Sequence, residues 1–234
     1  MTNKTLIGLS GAAGSGKDFA ARFISQQLGV EIVSFAEPVY TLAGLIFGVT
    51  PEELGNRSTK EKFFFLQVDN ENLIKAVDYA ENILSMLGLT HIDARTELFE
   101  WLTFDLANYR SPITLHERDD MVAAYYISPR KILEHLGTEL GRARFSEGIW
   151  LDLVAAKYAK SEKGIVITDV RFPNEHDWVK EVGGTRWGIK ASKSDFAIQS
   201  SHPSASHTFE VDFSITNNYD ETFTSLIREA MYGS

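Results

Sequence analysis

Cysteine is absent from the 234 residues of this chain. Its absence excludes disulfide bonds, zinc sites built from thiolates and a cysteine nucleophile. Internal repeats and low-complexity segments are also lacking, and the contents of 44% hydrophobic and 24% charged residues are ordinary for a globular protein. We therefore expect one large α/β domain, or a core domain with an insertion, around a substantial buried core.

Basic residues are fewer than acidic residues, 23 against 32, so the formal net charge is −9. Non-specific binding to a nucleic-acid backbone needs lysine and arginine clustered on a basic domain, so nucleic acid is not an expected partner. A local pocket can be positive on an acidic protein, which leaves small anionic ligands open.

Long apolar runs are lacking as well. The segment MTNKTLIGLSG at the start of the chain has an apolar run of only four residues, too short for a signal peptide or a membrane span. The sequence thus predicts a soluble, cytoplasmic protein with no membrane partner.

The most informative stretch is GAAGSGKD, residues 11–18. It follows the phosphate-binding pattern of Gly, four residues, Gly, Lys and then Ser or Thr, except that Asp18 holds the last position. The apolar segment 5–10 predicts a buried strand before it, and helical spacing of apolar residues over 17–29 predicts a helix after it. Such a turn directs backbone N–H groups at one spot, where the helix dipole adds positive potential. We predict a nucleotide phosphate site in which Lys17 reaches the β and γ phosphates; a plain turn with a solvated lysine is the alternative.

Asp18 stands where a hydroxyl normally binds Mg²⁺. A carboxylate could bind the same ion directly or through water, because Mg²⁺ prefers oxygen ligands. The ion would also offset the negative charge that Asp18 brings near the phosphates. Alternatively, an acidic residue in a first helical turn is favoured by the dipole without any metal.

The two ends of the chain alternate between strand and helix patterns. Predicted strands are 30–35, 164–169, 185–191 and 210–216, and predicted helices are 38–48, 128–142, 149–160, 174–182 and one around 223–227. This alternation predicts a mostly parallel sheet covered by helices on both faces. Residues 51–127 are polar with apolar residues at helical spacing, which predicts a helical insertion in a core formed by residues 1–50 and 128–234.

Phosphoryl transfer needs cations that neutralise the phosphates in the transition state. Arg130, in the first turn of a helix that begins after Ser128, and Arg142 are candidates, although most single arginines are solvated surface residues. Asp169 ends an apolar strand, where ligands of parallel sheets collect, and Arg171 follows it. Asp169 could help to hold Mg²⁺ through water, or it could cap the strand and pair with Arg171.

Histidines and aromatic residues add little to this site. His202 and His207 are a poor ligand set for a metal in a Ser-rich loop, so a loop contact is expected. The triplet Phe63 to Phe65 and Trp150 are expected to pack in the interior, with base stacking as the alternative for Trp150.

Seven segments form a recognisable set when they are taken together. They are SGAAGSGKD, FAEPVYTLAGLIFG, ILEHLGTELGR, IWLDL, ITDVRFPNEHD, SHP and DFSITNNYDETF. In this order they resemble the phage deoxynucleoside monophosphate kinases, from about residue 5 to residue 230 with the exception of 51–127. That family, like the animal phosphomevalonate kinases, carries GKD in its loop. The resemblance implies a three-layer P-loop NTPase fold and transfer of the γ-phosphoryl group of ATP to a dNMP.

The resemblance also implies the residues of the site. ATP would be bound by Gly14, Ser15, Gly16, Lys17 and Asp18. Around the phosphate chains and the acceptor nucleotide would lie Arg130, Lys131, Gly137, Thr138, Trp150, Asp169, Arg171 and Glu175. We expect catalytic roles for Lys17, Arg130, Asp169 and Arg171, a substrate contact from Arg142, and Mg²⁺ at Asp18 and Asp169. Residues 51–127 would form an acceptor-side or lid region.

Two departures concern the acceptor. The family often has a lysine where Tyr40 stands, with a basic residue near Ala13, and it often has a glutamate where Ala205 follows His202-Pro203-Ser204. The alternatives are therefore a kinase for another small phosphorylated acceptor, of the phosphomevalonate or dephospho-coenzyme A type, and a catalytically silent nucleotide-binding protein. A phage origin would place the protein in the host cytoplasm, and a homodimer is left open.

Overall fold

The computed structural model of the protein describes residues 4–111, 121–192 and 209–233. The chain divides into two compact units. The terminal unit comprises Met1–Phe35 with Val154–Ser234, and the central unit comprises Ala36–Leu153. The central unit contains all of the predicted insertion and extends beyond it at both ends.

Strands and helices alternate through most of the described chain. The strands are β1 Thr5–Ser10, β2 Glu31–Val33, β3 Phe64–Asp69, β4 Met121–Ile127, β5 Gly164–Ile167, β6 Thr185–Ala191 and β7 Phe213–Asn217. The α-helices are α1 Lys17–Leu28, α2 Glu37–Phe47, α3 Pro51–Gly55, α4 Asn70–Met86, α5 Ala94–Glu100, α6 Pro129–His135, α7 Ile149–Lys160, α8 Pro173–Glu181 and α9 Thr222–Tyr232. Two stretches are π-helical, Trp101–Asp105 and Leu136–Phe145, and Ala107–Tyr109 forms a 3₁₀ turn.

The terminal unit is built on a five-stranded sheet in the order β2-β5-β1-β6-β7. Each neighbouring pair is parallel, with Ile7 of β1 aligned with Val166 on one side and Thr185 on the other. The sheet is parallel because each strand returns to it through a crossover, as the alternating pattern of the sequence predicts. All strands predicted outside the insertion are present, with small shifts at their ends.

Helices cover both faces of this sheet. Ile7 and Leu9 of β1 lie in one buried cluster with residues of α1 and α9, among them Ile24 and Ile227. Gly8 points to the opposite face, where a Cβ would lie 3.1 Å from the side chain of Val179 in α8. Since successive residues of a strand face opposite sides, the unit has the predicted three layers.

An ion pair between the buried Arg186 and the exposed Asp212 fixes the chain where it enters β7. The Asp212 carboxylate accepts hydrogen bonds from Nε and Nη2 of Arg186, at 3.0 and 2.7 Å, and from the Arg186 backbone N–H at 2.8 Å. These hydrogen bonds lower the pKa of Asp212 to about 2. Beside this ion pair the imidazole of His176 stacks on the Phe209 ring, with 4.6 Å between the ring centroids. The edge strand β7 is thus held to β6 and α8 by side chains as well as by its ladder.

The central unit contains two strands where the sequence predicts only helix. β3 pairs with β4 in antiparallel register, with Leu66 opposite Tyr125. Val68 and Tyr125 are buried, whereas the alternate residues Phe65 and Tyr126 are exposed. This period of two is typical of a half-covered strand, and the helical interpretation overlooked it because the apolar residues of α4 dominate the region.

The prediction that the phenylalanine triplet packs in the interior is wrong. Phe63, Phe64 and Phe65 are 44%, 39% and 59% exposed. Phe63 and Phe65 instead lie against the Tyr126 ring, at 5.5 and 4.8 Å between centroids, on the outer face of the two-stranded sheet. The local pattern marks a strand but does not reveal which face is covered.

Trp150 packs against the π-helical stretch Leu136–Phe145. Its indole is only 3% exposed, and Nε1 donates a hydrogen bond to the Gly137 carbonyl at 2.9 Å. The ring lies directly on Gly141, where a Cβ would be 2.1 Å from Cζ2 of the indole. A glycine at 141 is therefore a steric requirement of this packing.

We expect G141A to lower the free energy of unfolding by about 1–3 kcal/mol, because the indole must leave its site. G137A is the matched control in the same stretch, since a Cβ there meets nothing closer than Val39 at 3.9 Å. It should be neutral or stabilising by up to about 1 kcal/mol. Denaturant unfolding measures both, and equal stability of the two variants would contradict the steric argument.

Candidate functional site

The candidate site lies at the carboxyl end of β1. Residues 11–16 connect β1 to α1, and Gly11, Gly14 and Gly16 have φ angles of 141°, 82° and 103°. A Cβ at Gly16 would lie 2.4 Å from Nδ2 of Asn217. A residue other than glycine at position 16 would therefore be strained by its positive φ and would clash with Asn217.

The loop leads directly into the N-terminus of a 12-residue helix. Gly16, the residue before α1, has no side chain to cap the first turn, and the helix begins with the hydrogen bond from Ala20 N to Gly16 O at 2.9 Å. N–H groups of an uncapped first turn together with the helix dipole favour an anion. The predicted strand, Gly-rich loop and helix are all present.

Lys17 lies over the loop. Its ammonium donates hydrogen bonds to the carbonyl oxygens of Gly11 at 2.7 Å and Ala12 at 2.8 Å. The hydroxyl of Ser15 is buried and has no hydrogen-bond partner within residues 4–111, 121–192 and 209–233. The Lys17 ammonium and the unsatisfied Ser15 hydroxyl thus both lie at the loop, where a phosphate chain is expected.

Asp169 lies two residues beyond β5, which is the strand beside β1. Its carboxylate is 7% exposed and accepts hydrogen bonds from the Ser34 hydroxyl and the Phe35 backbone N–H, both at 2.8 Å. These bonds tie the chain that leaves β2 to the end of β5. The alternative in which Asp169 pairs with Arg171 is wrong, because the exposed Arg171 side chain makes no ion pair with any described residue.

Oxygen donors for Mg²⁺ are limited but suitable. Among the described residues no group of three or more acidic or histidine side chains is placed to hold a metal ion. Mg²⁺ at a nucleotide usually needs only one or two carboxylates, with phosphates and water completing its shell. The exposed carboxylate of Asp18 and the carboxylate of Asp169 fit that requirement.

Glu175 has a structural role in the turn before α8. Its carboxylate is 2% exposed and accepts hydrogen bonds from the backbone N–H groups of Arg171 at 2.8 Å and Phe172 at 3.1 Å. A carboxylate at this end of a helix is also favoured by the dipole. Glu175 therefore fixes the backbone that carries Arg171.

The central unit holds a second group of predicted residues. The Arg130 guanidinium contacts the Glu61 carboxylate, and the Arg130 backbone N–H donates to the Lys60 carbonyl at 3.0 Å. Lys131 donates to Glu134 at 3.1 Å, and this hydrogen bond raises the pKa of Lys131. Arg130 is half-buried and Lys131 is exposed.

Lys60 is a candidate that sequence reasoning missed. Its ammonium donates to the Tyr40 hydroxyl and lies 5.0 Å from the centroid of the Tyr40 ring. Lys60 is half-buried, and no carboxylate in the described part of the chain pairs with it. A lysine therefore reaches the position of Tyr40 from another segment, which sequence spacing could not reveal.

The remaining predicted residues also lie in the central unit. Thr138 is exposed, and Nη1 of Arg142 donates to the Glu147 carbonyl at 3.4 Å. Gly137 accepts the indole hydrogen bond of the buried Trp150. Residues 14–18, Asp169, Arg171 and Glu175 lie in the terminal unit. His202, Ala205 and His207 lie outside the described residues.

The parallel sheet and the loop of residues 11–18 define a P-loop nucleotide-binding protein. Residues 5–218 match the profile of the family described as deoxynucleotide monophosphate kinase. The deoxynucleoside-5'-monophosphate kinase of Escherichia phage T5 is 36% identical over 216 residues, which cover 86% of this chain and 84% of the phage protein. The chain therefore belongs to the deoxynucleotide monophosphate kinase family, and the predicted kinase class is confirmed.

A second viral protein and one solved structure are also similar to this chain. A protein of Acanthamoeba polyphaga mimivirus, provisionally named a deoxynucleotide monophosphate kinase, is 27% identical over 226 residues, covering 92% of this chain and 85% of the viral protein. The crystal structure of TT1252 from Thermus thermophilus aligns at a TM-score of 0.42 with 12% identity, covering 97% and 94% of the two chains. Within the described residues, no helix combines the length and apolar character that crossing a membrane requires.

We expect E175A to lower the free energy of unfolding by about 1–2 kcal/mol, because the N–H groups of Arg171 and Phe172 lose their acceptor. E175Q keeps an acceptor oxygen and should lose less. E181A, an exposed position at the other end of α8, is the control. Thermal unfolding measures all three, and an E175A variant that melts like E181A but binds substrate poorly would assign Glu175 to the ligand instead.

Proposed function

We propose that this protein transfers the γ-phosphoryl group of ATP to a deoxynucleoside monophosphate, yielding ADP and a deoxynucleoside diphosphate. The observation that carries the proposal is the loop of residues 11–16, with three glycines at positive φ and the Lys17 ammonium above it. Membership of the kinase family supports the same reaction. The phage relative favours the cytoplasm of an infected host as its setting.

The loop would bind the phosphates of ATP through its backbone N–H groups and the start of α1. Transfer passes through a transition state in which charge spreads over the phosphoryl oxygens, so positioning and cations supply most of the catalysis. Lys17 would neutralise that charge, with Arg171 and Arg130 as further cations. Mg²⁺, when bound, would be held by Asp18, with Asp169 acting through water, and would neutralise the phosphates.

The acceptor would be recognised by residues of the central unit, and residues 51–127 would serve as its acceptor-side or lid region. The monophosphate of the acceptor needs positive charge. Lys60 meets this need, because its ammonium is held by the Tyr40 phenol and ring and is not neutralised by a carboxylate of the described residues. The Arg130 backbone bonded to Lys60 places a second cationic residue beside it.

The reaction is tested by measuring ADP release from Mg·ATP with dAMP, dGMP, dCMP, dTMP and their ribose counterparts, with phosphomevalonate and dephospho-coenzyme A as other acceptors. We expect turnover with one or more deoxynucleotides. K17A should lower that turnover by at least about 10²-fold with the fold intact, because a transition-state cation is lost. K190A, an exposed lysine of β6, is the matched control.

Each alternative has a distinct result in this assay. Turnover with phosphomevalonate or dephospho-coenzyme A, and with no nucleotide, would show that the acceptor is that compound and not a deoxynucleoside monophosphate. ATP binding without transfer to any acceptor would overturn the kinase proposal in favour of a silent nucleotide-binding protein. Full turnover by K17A would remove Lys17 from catalysis.

We expect K60A to raise KM for the deoxynucleotide acceptor about tenfold or more, because a charge-assisted hydrogen bond to its phosphate is lost. KM for ATP should stay within about twofold. K62A, an exposed lysine two residues away, is the control and should leave both constants unchanged. Equal acceptor KM values for K60A and K62A would contradict the role of Lys60.

A further inference from the structure

The end of β7 and the residues that follow it contact the nucleotide-binding loop with two side chains. Asn217 Nδ2 donates a hydrogen bond to the Ser15 carbonyl at 3.0 Å. The Tyr219 hydroxyl donates to the Gly14 carbonyl at 3.0 Å. The Tyr219 backbone N–H in turn donates to Asn217 Oδ1 at 2.8 Å, so the two side chains form one connected unit.

Asn217 is fixed by its position in the sheet. It is the last residue of β7, it is 4% exposed, and its carbonyl accepts a hydrogen bond from Ser192 at 3.0 Å. Both halves of its amide are used, one toward the loop and one toward Tyr219. A buried amide with both halves bonded has one orientation, and Gly16 provides the space for it.

Tyr219 adopts a conformation that is costly for its residue type. With φ at 62°, it is the sole residue other than glycine with a positive φ in the described part of the chain. A left-handed conformation brings the Cβ of a tyrosine too close to a backbone carbonyl oxygen, so it persists only where surrounding contacts determine it. Here the backbone bond to Asn217 and the hydroxyl bond to Gly14 are such contacts.

These two bonds determine which way the loop peptides face. In a trans peptide the C=O and the following N–H point in opposite directions. The Ser15 carbonyl points toward Asn217, so the Gly16 N–H faces away from Asn217. The Gly14 carbonyl points toward the Tyr219 hydroxyl, so the Ser15 N–H faces away from Tyr219. This Ser15 N–H donates a hydrogen bond to the Ala12 carbonyl at 3.2 Å, which closes the turn.

We propose that Asn217 and Tyr219 are positioning residues that hold the loop in the conformation that binds the triphosphate. They act through the peptides of Gly14 and Ser15 rather than through contact with the reacting atoms. The proposal rests on the proposed function only in that the loop binds ATP, and it makes the end of β7 and the segment after it part of the nucleotide site.

The first test compares Y219F with Y232F, a matched change at an exposed tyrosine near the end of α9. Y219F should weaken ATP binding, measured by titration calorimetry, about three- to tenfold, as expected for one lost hydrogen bond. KM for ATP should rise by the same factor, whereas kcat and KM for the acceptor should match those of Y232F. ATP affinity equal to that of Y232F would overturn the role of the Tyr219 hydroxyl.

Two more variants separate the hydroxyl from the backbone and from Asn217. Y219G relieves the left-handed strain and lacks the hydroxyl, so it should bind ATP as weakly as Y219F while melting no lower. N217D keeps the acceptor for the Tyr219 N–H but loses the donor to Ser15, and it should weaken ATP binding about tenfold or more. Wild-type affinity in N217D, or equal losses for ATP and acceptor in Y219F, would overturn the proposal.

The binding readout keeps this inference distinct from the kinase proposal. If no deoxynucleotide is phosphorylated but Y219F still weakens ATP binding relative to Y232F, the positioning role stands and the kinase proposal fails. If a deoxynucleotide is phosphorylated and Y219F binds ATP as well as Y232F does, the kinase proposal stands and the positioning role fails.

Discussion

The backbone conformation of residues 11–16 is the constraint on which the site depends. A short parallel strand must turn into a helix so that amide groups converge, and glycines at positive φ make that turn accessible. The surrounding sheet sustains it: β6 lies beside β1, and a side chain at Gly11 would meet the Ile189 carbonyl at 2.2 Å. The conformation of this loop therefore depends on the packing of the sheet as well as on the sequence of residues 11–18.

Local pattern predicted most of the terminal unit, because strands, caps and the Gly-rich turn are determined by residues close together in the chain. The same approach failed in the central unit, where β3 and β4 pair across more than fifty residues and their aromatic residues lie on the outer face. The contact of Lys60 with Tyr40, and those of Asn217 and Tyr219 with the loop, depend on tertiary structure in the same way. No spacing rule could have found them.

Several residues expected at the substrate support the fold. Asp169 joins the chain ends of β2 and β5, Glu175 fixes the turn before α8, and Trp150 is buried on Gly141. Resemblance identifies positions that a family requires, but it does not separate ligand contacts from supports. Hydrogen-bond partners make that separation possible, since a carboxylate that already accepts two backbone N–H groups has a structural task whatever else it does.

The bonds from Asn217 and Tyr219 to the loop span 202 and 205 residues of sequence. A chain is made from its N-terminus, so residues 11–16 are synthesised long before these two side chains. During synthesis the loop therefore lacks both hydrogen bonds until β7 and the residues after it have been added.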